Sequence, residues 1–237
     1  MGTKKVDKLR DDVSLQAGNH IIQPSESEKL LGCNIHQGMK WKEHVQTNTG
    51  SLIRQLTSRV NALRKLAVNA TFQTRLMAAN AVFISVLSYL IPLWGGCEGY
   101  LIKALQVIQN KAARCVTRQS WFTPTRRLLS QCGWLSIRQL VFYHTVLTFY
   151  KILKSSKPLY LSNKLSRDYP YPTRRAAGGC VRYTDSQIAE SSLTEKSFLC
   201  RGTRDYNSIP ADLKAITSLQ TFKKKLKVWI LANIPID

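Results

Sequence analysis

The sequence predicts a mainly α-helical fold with a small N-terminal β-hairpin unit, an α+β chain. A helical bundle is followed by a smaller mixed C-terminal region. From Trp41 to Lys154, apolar residues recur every three or four positions, as on the buried face of an amphipathic helix. Near the N-terminus, Gly18-Asn19 separates two short apolar segments, as in a two-residue hairpin turn. With 44% hydrophobic residues in 237, the chain can bury a sizeable core.

The β unit is predicted from turn residues and short apolar segments. Val13–Ala17 and His20–Gln23 are the strands on either side of Gly18-Asn19. Lys29–Ile35 is a third strand candidate, and Gln37-Gly38 marks the turn that ends the unit.

Five helices are predicted in the middle of the chain, with Ser or Thr caps at several starts and glycines at several ends. The first runs from Trp41 to Leu66, and the second from a Thr71 cap to the Pro92 region before Gly95-Gly96. The third runs from Tyr100 to Arg118. The fourth has Thr123 as its cap, Pro124 at its first helical position and Gly133 after its end, and the fifth runs from a Ser136 cap to Lys154.

One segment has two interpretations. Leu76–Cys97 carries no charge and is long enough to span a bilayer. It also contains Asn80 and Pro92, and amphipathic helices flank it. A buried core helix is therefore favoured over a membrane span.

The C-terminal part is less regular. Asp168–Gly179 is rich in turn residues and predicts a linker, and Cys180–Tyr183 is a strand candidate. The last helix, Leu219–Ile230, is capped by Thr217 or Ser218 and has a lysine-rich outer face. The predicted division is a β unit at 1–38, a basic helical domain at 39–165, a linker at 166–179 and a small C-terminal region at 180–237.

Positive charge is concentrated in the helical part. Between Trp41 and Leu165 there are seventeen Lys and Arg against two acidic residues, a net charge of +15 out of +21 for the whole chain. A folded segment with this imbalance repels itself unless a polyanion neutralises it, and a phosphate backbone does so. RNA or DNA is thus the predicted partner. The candidate nucleic-acid contacts are Arg54, Lys65, Lys111, Arg114, Arg118, Arg126 and Arg127.

Four aromatic residues could stack on bases. Trp121 and Phe122 fall in a predicted loop and are expected outside the core, whereas Trp41 and Tyr89 are expected to pack inside it.

Catalytic and metal-binding patterns are not found in the sequence. The six cysteines are far apart, no CxxC pair occurs, and the histidines do not cluster with them. Asp11-Asp12 is the nearest approach to paired metal ligands, and a solvated turn is favoured there. His44 beside Glu43 is interpreted as a surface or packing residue rather than a general base. We therefore predict no catalytic residue, metal ligand or bound cofactor. The polar N-terminus and the scattered cysteines predict an intracellular protein.

Six blocks follow one another along the chain: LLGCNIHQGMKWKEHV (Leu30–Val45), VLSYLIPLWGG, LQVIQNKAARCV, CGWLSIRQL, FYKILKSSKPLYLSNKL and SFLCRGTRDYNSIPADLKAITSLQTFKKKLK. In this order they resemble the C-terminal region (palm end, thumb and downstream part) of non-LTR retrotransposon reverse transcriptases of the LINE or jockey type. The first block is similar to the one that closes the palm of these enzymes. The resemblance extends from about Val13 to Ile230, and Tyr206 stands where the family usually has Trp.

The resemblance implies a role within an RNA-directed DNA polymerase. Leu31 and Gly32 would form a primer-grip-like hairpin, and residues 39–165 a thumb-like bundle that holds an RNA–DNA hybrid or a DNA duplex by its backbone. Magnesium would be held by palm aspartates that this chain lacks, so no activity of its own is expected. The fingers and palm of the same polyprotein would be its partner, in the nucleus or in a cytoplasmic ribonucleoprotein. The alternatives are a non-enzymatic basic RNA/DNA-binding protein and a decayed, inactive retroelement fragment.

Overall fold

The computed structural model describes residues 15–22, 25–47, 49–167, 178–183 and 195–236. Within these residues, short β-hairpins precede a mainly helical structure, which confirms the predicted fold class. The elements are β1 Leu15–Ala17, β2 His20–Ile22, β3 Ser27–Leu30, β4 Cys33–His36, a π-helical turn Glu43–Thr47, α1 Leu52–Leu66, α2 Phe72–Ala79, a π-helical segment Asn80–Ile84, α3 Ser85–Ser88, α4 Ile91–Trp94, α5 Gly99–Thr117, α6 Thr125–Cys132, α7 Ile137–Ser155, α8 Leu159–Ser162, β5 Leu165–Ser166, β6 Arg182–Tyr183, α9 Phe198–Ser208, α10 Ala211–Lys214 and α11 Leu219–Asn233.

Two antiparallel hairpins form the β unit. In the first, Leu15 pairs with Ile22 around the predicted Gly18-Asn19 turn, where Gly18 has a φ of 61°. In the second, Leu30 pairs with Cys33 around Leu31 and Gly32, whose φ values are 48° and 79°. Positive φ at both central residues is the geometry of a type I′ turn. The single strand predicted at Lys29–Ile35 was therefore wrong: a turn divides it, and Leu31 is not a residue that signals one.

A buried histidine connects the second hairpin to the helices. His44 lies in the π-helical turn and is buried together with Val45. The backbone N–H of Asn34 donates to His44 Nδ1 at 3.4 Å, and burial lowers the pKa of this histidine. His44 is thus a packing residue, which is one of the two roles expected for it.

Several helix boundaries agree with the predicted caps. Thr71 accepts a hydrogen bond from the Thr74 backbone N–H at 3.2 Å, and Ser136 forms a reciprocal capping box with Gln139. Ser218 caps α11. By contrast, α6 begins one residue later than predicted, with Pro124 rather than Thr123 before its first turn.

Two predicted helices are interrupted. The helix expected from Trp41 is a π-helical turn followed by a break, and α1 begins only at Leu52. The helix expected to reach Pro92 ends at Ser88, because Leu90 adopts a left-handed conformation with a φ of 52°. The first break contains Gly50, which the sequence prediction passed over, whereas Tyr89 and Leu90 in the second break are neither glycine nor proline.

The uncharged segment lies in the core. Phe83, Leu87, Ile91 and Trp94 are fully buried in it, which confirms the core interpretation. Among the described residues, no helix is both long and apolar enough to traverse a bilayer.

The C-terminal helices pack against α7. A Cβ on Gly202 of α9 would lie 2.7 Å from the Phe149 ring, so this glycine permits the close approach of the two helices. The Phe222 ring of α11 stacks on Tyr150 with 3.9 Å between centroids. One core thus includes residues from both the predicted helical domain and the predicted C-terminal region. Most of the predicted linker, residues 168–177, lies outside the described residues.

Candidate nucleic-acid interface

A buried arginine fixes the end of α5 against the start of α2. Arg75 is 7% exposed, and its Nε donates to the Val116 carbonyl at 2.7 Å. Its Nη1 donates to the Ala70 carbonyl at 2.6 Å. Arg75 therefore stabilises the scaffold and does not extend the surface, although the sequence counts it among the cations of the basic segment.

The outer face of α1 carries two of the predicted contacts. Its inner face buries Leu52, Leu56, Val60 and Leu63. Arg54 and Lys65 are exposed on the opposite side, eleven residues apart, or about 16 Å along the axis. The two cations therefore share one face and lie near its two ends.

The outer face of α5 carries three more. Lys111 and Arg114 are half-buried on the side away from the buried Leu101 and Leu105, and Arg118 directly follows the helix in a left-handed conformation with a φ of 55°. Exposed Lys103 lies on the same face and was not among the predicted contacts, although its spacing of eight residues from Lys111 is the helical signal that identifies it.

Arg118 joins these two faces. Its Nε donates to the Ala67 carbonyl at 3.1 Å, and its Nη2 donates to the carbonyls of Ala67 and Val68, the latter at 2.7 Å. These carbonyls follow the end of α1, where backbone acceptors are unsatisfied and a cation is favourable. The guanidinium thus fixes the α1–α2 connection while it remains exposed.

Arg64, exposed on α1, reaches Cys115 of α5. Burial raises the pKa of the Cys115 thiol on α5. Arg64 of α1 hydrogen-bonds this thiol and offsets only part of the rise. Because Cys115 lies between Arg114 and Arg118, this contact places a further cation beside the α5 face. Sequence reasoning did not select Arg64, because its position on the flank of α1 does not show which neighbour it meets.

The turn between α5 and α6 exposes two aromatic rings. Trp121 is 67% exposed and Phe122 is 90% exposed, which confirms that both lie outside the core. The Arg114 guanidinium lies over the Trp121 ring, 4.7 Å from its centroid, and donates from Nη2 to the Trp121 carbonyl at 3.0 Å.

Arg126 and Arg127 lie beyond this turn. Both are exposed on α6, whose inner face buries Leu128 and Leu129. Asn110 of α5 donates to Thr125 Oγ1 at 2.9 Å and so holds the start of α6. Arg126 also lines a cleft of about 500 Å³ beside the end of α11. The structure thus brings Lys65, Lys111, Arg114 and Arg118 to one end of the α1–α5 pair, with Arg54 along α1 and the α6 pair past the aromatic turn. We call these seven cations the basic surface.

The two acidic residues of the cationic segment are paired elsewhere. Glu43 lies 3.3 Å from the His36 ring, and Glu98 lies 3.8 Å from Lys196. Among the residues that the structure describes, no member of the basic surface is within ion-pair distance of a carboxylate. Their charges are therefore not compensated by these carboxylates.

The tip of the second hairpin contacts the break between α3 and α4. The Tyr89 hydroxyl donates to the Leu31 carbonyl at 2.8 Å, and the Leu31 side chain is 79% exposed. A Cβ on Gly32 would lie 3.7 Å from the Tyr89 ring. The expectation that Tyr89 packs in the core was wrong, since it is 53% exposed: the helix ends at Ser88 and the ring turns toward the hairpin. Trp41 is half-buried against the core.

The described residues contain no cluster of three or more His, Cys, Asp or Glu that could hold a metal ion. Asp11-Asp12 lies outside the described residues. Burial raises the pKa of both Cys97 and Cys132 to about 12, with Glu98 adding to the effect at Cys97.

The chain matches no protein-family model, no curated protein and no solved structure. The comparisons therefore assign neither a family nor an activity.

Proposed function

We propose that the basic surface binds the phosphate backbone of a nucleic-acid duplex, with an RNA–DNA hybrid as the preferred ligand. The observation that carries this proposal is the set of seven cations on the outer faces of packed helices without a described carboxylate beside them. Backbone contacts of this kind fix the position of a duplex and need no base-specific donors. Hybrid and A-form duplexes are recognised largely by shape and phosphates, which rigid cationic helices can match.

The resemblance of the six sequence blocks supports a role of this binding within a polymerase. We propose that residues 39–165 act as the thumb, and the rest of the chain as the adjoining C-terminal portion, of a non-LTR retrotransposon reverse transcriptase. Leu31 and Gly32 would then serve as the primer grip. The contact of their hairpin with Tyr89 supports this role, because it fixes the hairpin tip against the helical bundle. Fingers and palm of the same polyprotein would supply the aspartates and hold the magnesium.

The test is a fluorescence-anisotropy titration of the whole chain with a labelled RNA–DNA hybrid at several salt concentrations. Each phosphate contact releases counterions, so five contacts give a log–log salt slope of about −4.5. We expect that slope between about 50 and 200 mM salt. Absent binding, or binding insensitive to salt, would overturn the proposal.

A second candidate function is a non-enzymatic RNA/DNA-binding protein. The core shared between the helical region and the C-terminal helices favours it, because such a core is typical of a unit that folds by itself. Competition among hybrid, duplex DNA and single-stranded RNA separates the two functions. A thumb prefers the hybrid, whereas a general binding protein binds all three in proportion to their charge.

A further inference from the structure

Two neighbouring aromatic rings project from the turn between α5 and α6. Phe122 is 90% exposed and Trp121 is 67% exposed, whereas Trp94 and Phe83 are fully buried. A single exposed aromatic residue needs no explanation, but two exposed aromatic residues next to each other in the sequence favour a ligand.

Hydrogen bonds and a cation–π contact hold the turn. The Phe122 N–H donates to Ser120 Oγ at 3.2 Å, and the Thr123 N–H donates to the Ser120 carbonyl at 3.1 Å. Arg114 fixes Trp121 twice, through its carbonyl at 3.0 Å and through its ring at 4.7 Å. Because these contacts order the backbone and Trp121 beforehand, little conformational entropy is lost when a ligand binds.

Cationic residues flank the turn in the sequence, and one of them contacts a ring. Arg114 and Arg118 precede the turn, and Arg126 and Arg127 follow it. The Arg114 Nε is buried and has no hydrogen-bond acceptor among the described residues. A ligand that suits this site combines planar apolar groups with closely spaced negative charges, and a nucleotide strand has both.

We propose that Trp121 and Phe122 stack on unpaired nucleobases where a single strand leaves the duplex held by the basic surface. Stacking on aromatic side chains tolerates any base, because every base has a π-face. The inference rests on the proposed function, since the duplex must first be bound. It adds a second element of recognition: backbone charge holds the duplex, and the aromatic turn binds the strand end.

The experiment compares two probes on the whole chain by anisotropy. One is a blunt RNA–DNA hybrid of about 16 base pairs, and the other is the same hybrid with a short single-stranded overhang. We expect the overhang probe to bind roughly 5- to 150-fold tighter than the blunt probe, the range for stacking of one base on an aromatic side chain. W121A/F122A should remove this preference and leave blunt-hybrid binding unchanged.

Two control variants test whether the aromatic character of this turn is responsible. Trp121→Phe with Phe122→Tyr keeps two rings and should retain the preference. Tyr160→Ala removes an exposed aromatic residue on a different helix, where the ring is 71% exposed, and should change neither probe. Loss of the preference in Tyr160→Ala would overturn the assignment to the turn.

The outcomes separate this inference from the proposed function. If the wild-type chain binds neither probe, the proposed function fails. If it binds the blunt hybrid but has no preference for the overhang, or if W121A/F122A keeps the preference, the stacking inference fails alone.

An exposed Trp-Phe turn with arginines could also insert into anionic lipid. The decisive result would be that the wild type, but not W121A/F122A, binds vesicles containing phosphatidylserine and that the wild type has no preference for the overhang probe. That result would overturn stacking on nucleobases and assign the turn to a membrane surface.

Discussion

The basic surface and the C-terminal helices α9–α11 use their charges in different ways. On the basic surface, five of the seven cations are exposed, Lys111 and Arg114 are half-buried, and no described carboxylate is within ion-pair distance. In the C-terminal region, Arg204 lies 3.7 Å from Asp205, and Lys196 contacts Glu98 at 3.8 Å. Twelve basic residues from position 166 onward are accompanied by seven acidic ones. Charge balanced inside the protein supports the fold, whereas unbalanced charge at the surface is available to a polyanion.

Arg201 illustrates the internal use of charge. It is 6% exposed, and its Nη2 donates to the Pro92 carbonyl at 2.5 Å. Burial lowers the pKa of Arg201, and Asp205 raises it; burial also raises the pKa of Asp205 itself. Arg75 has the same structural role within the basic segment. The contrast between the two regions therefore depends on which arginines are buried, and net charge alone does not reveal it.

The largest effect is expected from a break in the packing that joins the two regions. Phe222→Ala should lower the free energy of unfolding by about 3–5 kcal/mol, because the fully buried ring leaves a cavity against Tyr150. Urea denaturation, followed by circular dichroism and by tryptophan fluorescence, measures the loss. If both regions share one cooperative core, both signals should shift together.

The matched control is Lys224→Ala on the exposed side of the same helix, which should leave stability nearly unchanged. Two separate transitions, only one of which moves in Phe222→Ala, would contradict the shared core. They would support instead the predicted boundary between 39–165 and 180–237.

The next effect tests the contrast in charge directly. Arg54→Gln with Lys65→Gln removes two exposed cations from α1 and should weaken hybrid binding and reduce the salt slope by about 2. Lys224→Gln with Lys225→Gln removes two exposed cations from α11 and should leave the slope unchanged. Anisotropy titrations over a salt series measure both. Equal losses in the two double variants would mean that binding follows net charge and not the basic surface.

Arg118 separates structure from binding within the basic surface. Arg118→Gln removes the donors that hold the Ala67 and Val68 carbonyls and should destabilise the fold by about 1–2 kcal/mol. Arg127→Gln removes an exposed cation from α6 and should weaken hybrid binding without a measurable loss of stability. Thermal unfolding paired with anisotropy distinguishes them. A stable Arg118→Gln variant would show that its carbonyl contacts contribute little.

The sequence predicted the elements whose signals are local. The caps at Thr71, Ser136 and Ser218 and the Gly18-Asn19 turn are all found. Residues at the ends of each helix or strand determine them, so a short stretch of sequence is enough to predict them. Turn residues did not predict the Leu31–Gly32 turn, which only the resemblance implied, because leucine rarely adopts positive φ and the contact from Tyr89 comes from a distant segment.

In the candidate site, too, local signals were predicted from the sequence and contacts between distant segments were not. Helical spacing identified the outward positions of Arg54, Lys65 and Lys111. It did not reveal that Arg118 binds carbonyls near the end of α1, because this contact joins residues about fifty positions apart. Burial of Arg75 and Arg201 likewise depends on which helices meet, and periodicity within one helix carries no such information.

The smallest effect concerns His44, which belongs neither to the basic surface nor to α9–α11. Burial alone lowers the pKa of this histidine. The unfolded chain binds a proton near pH 6.5, and the folded chain does so only at lower pH. The unfolded state then holds more protons as the pH falls below about 6.5, so stability is full above that value and declines below it. His44→Gln, whose amide oxygen can still accept from the Asn34 N–H, should reduce the difference in urea midpoint between about pH 5 and pH 7.5. His144, whose pKa is also lowered by burial and by Lys151, contributes in the same direction, so the variant should retain part of the dependence. If the dependence of the urea midpoint on pH were unchanged in His44→Gln, the pKa of His44 would not differ between the folded and the unfolded chain.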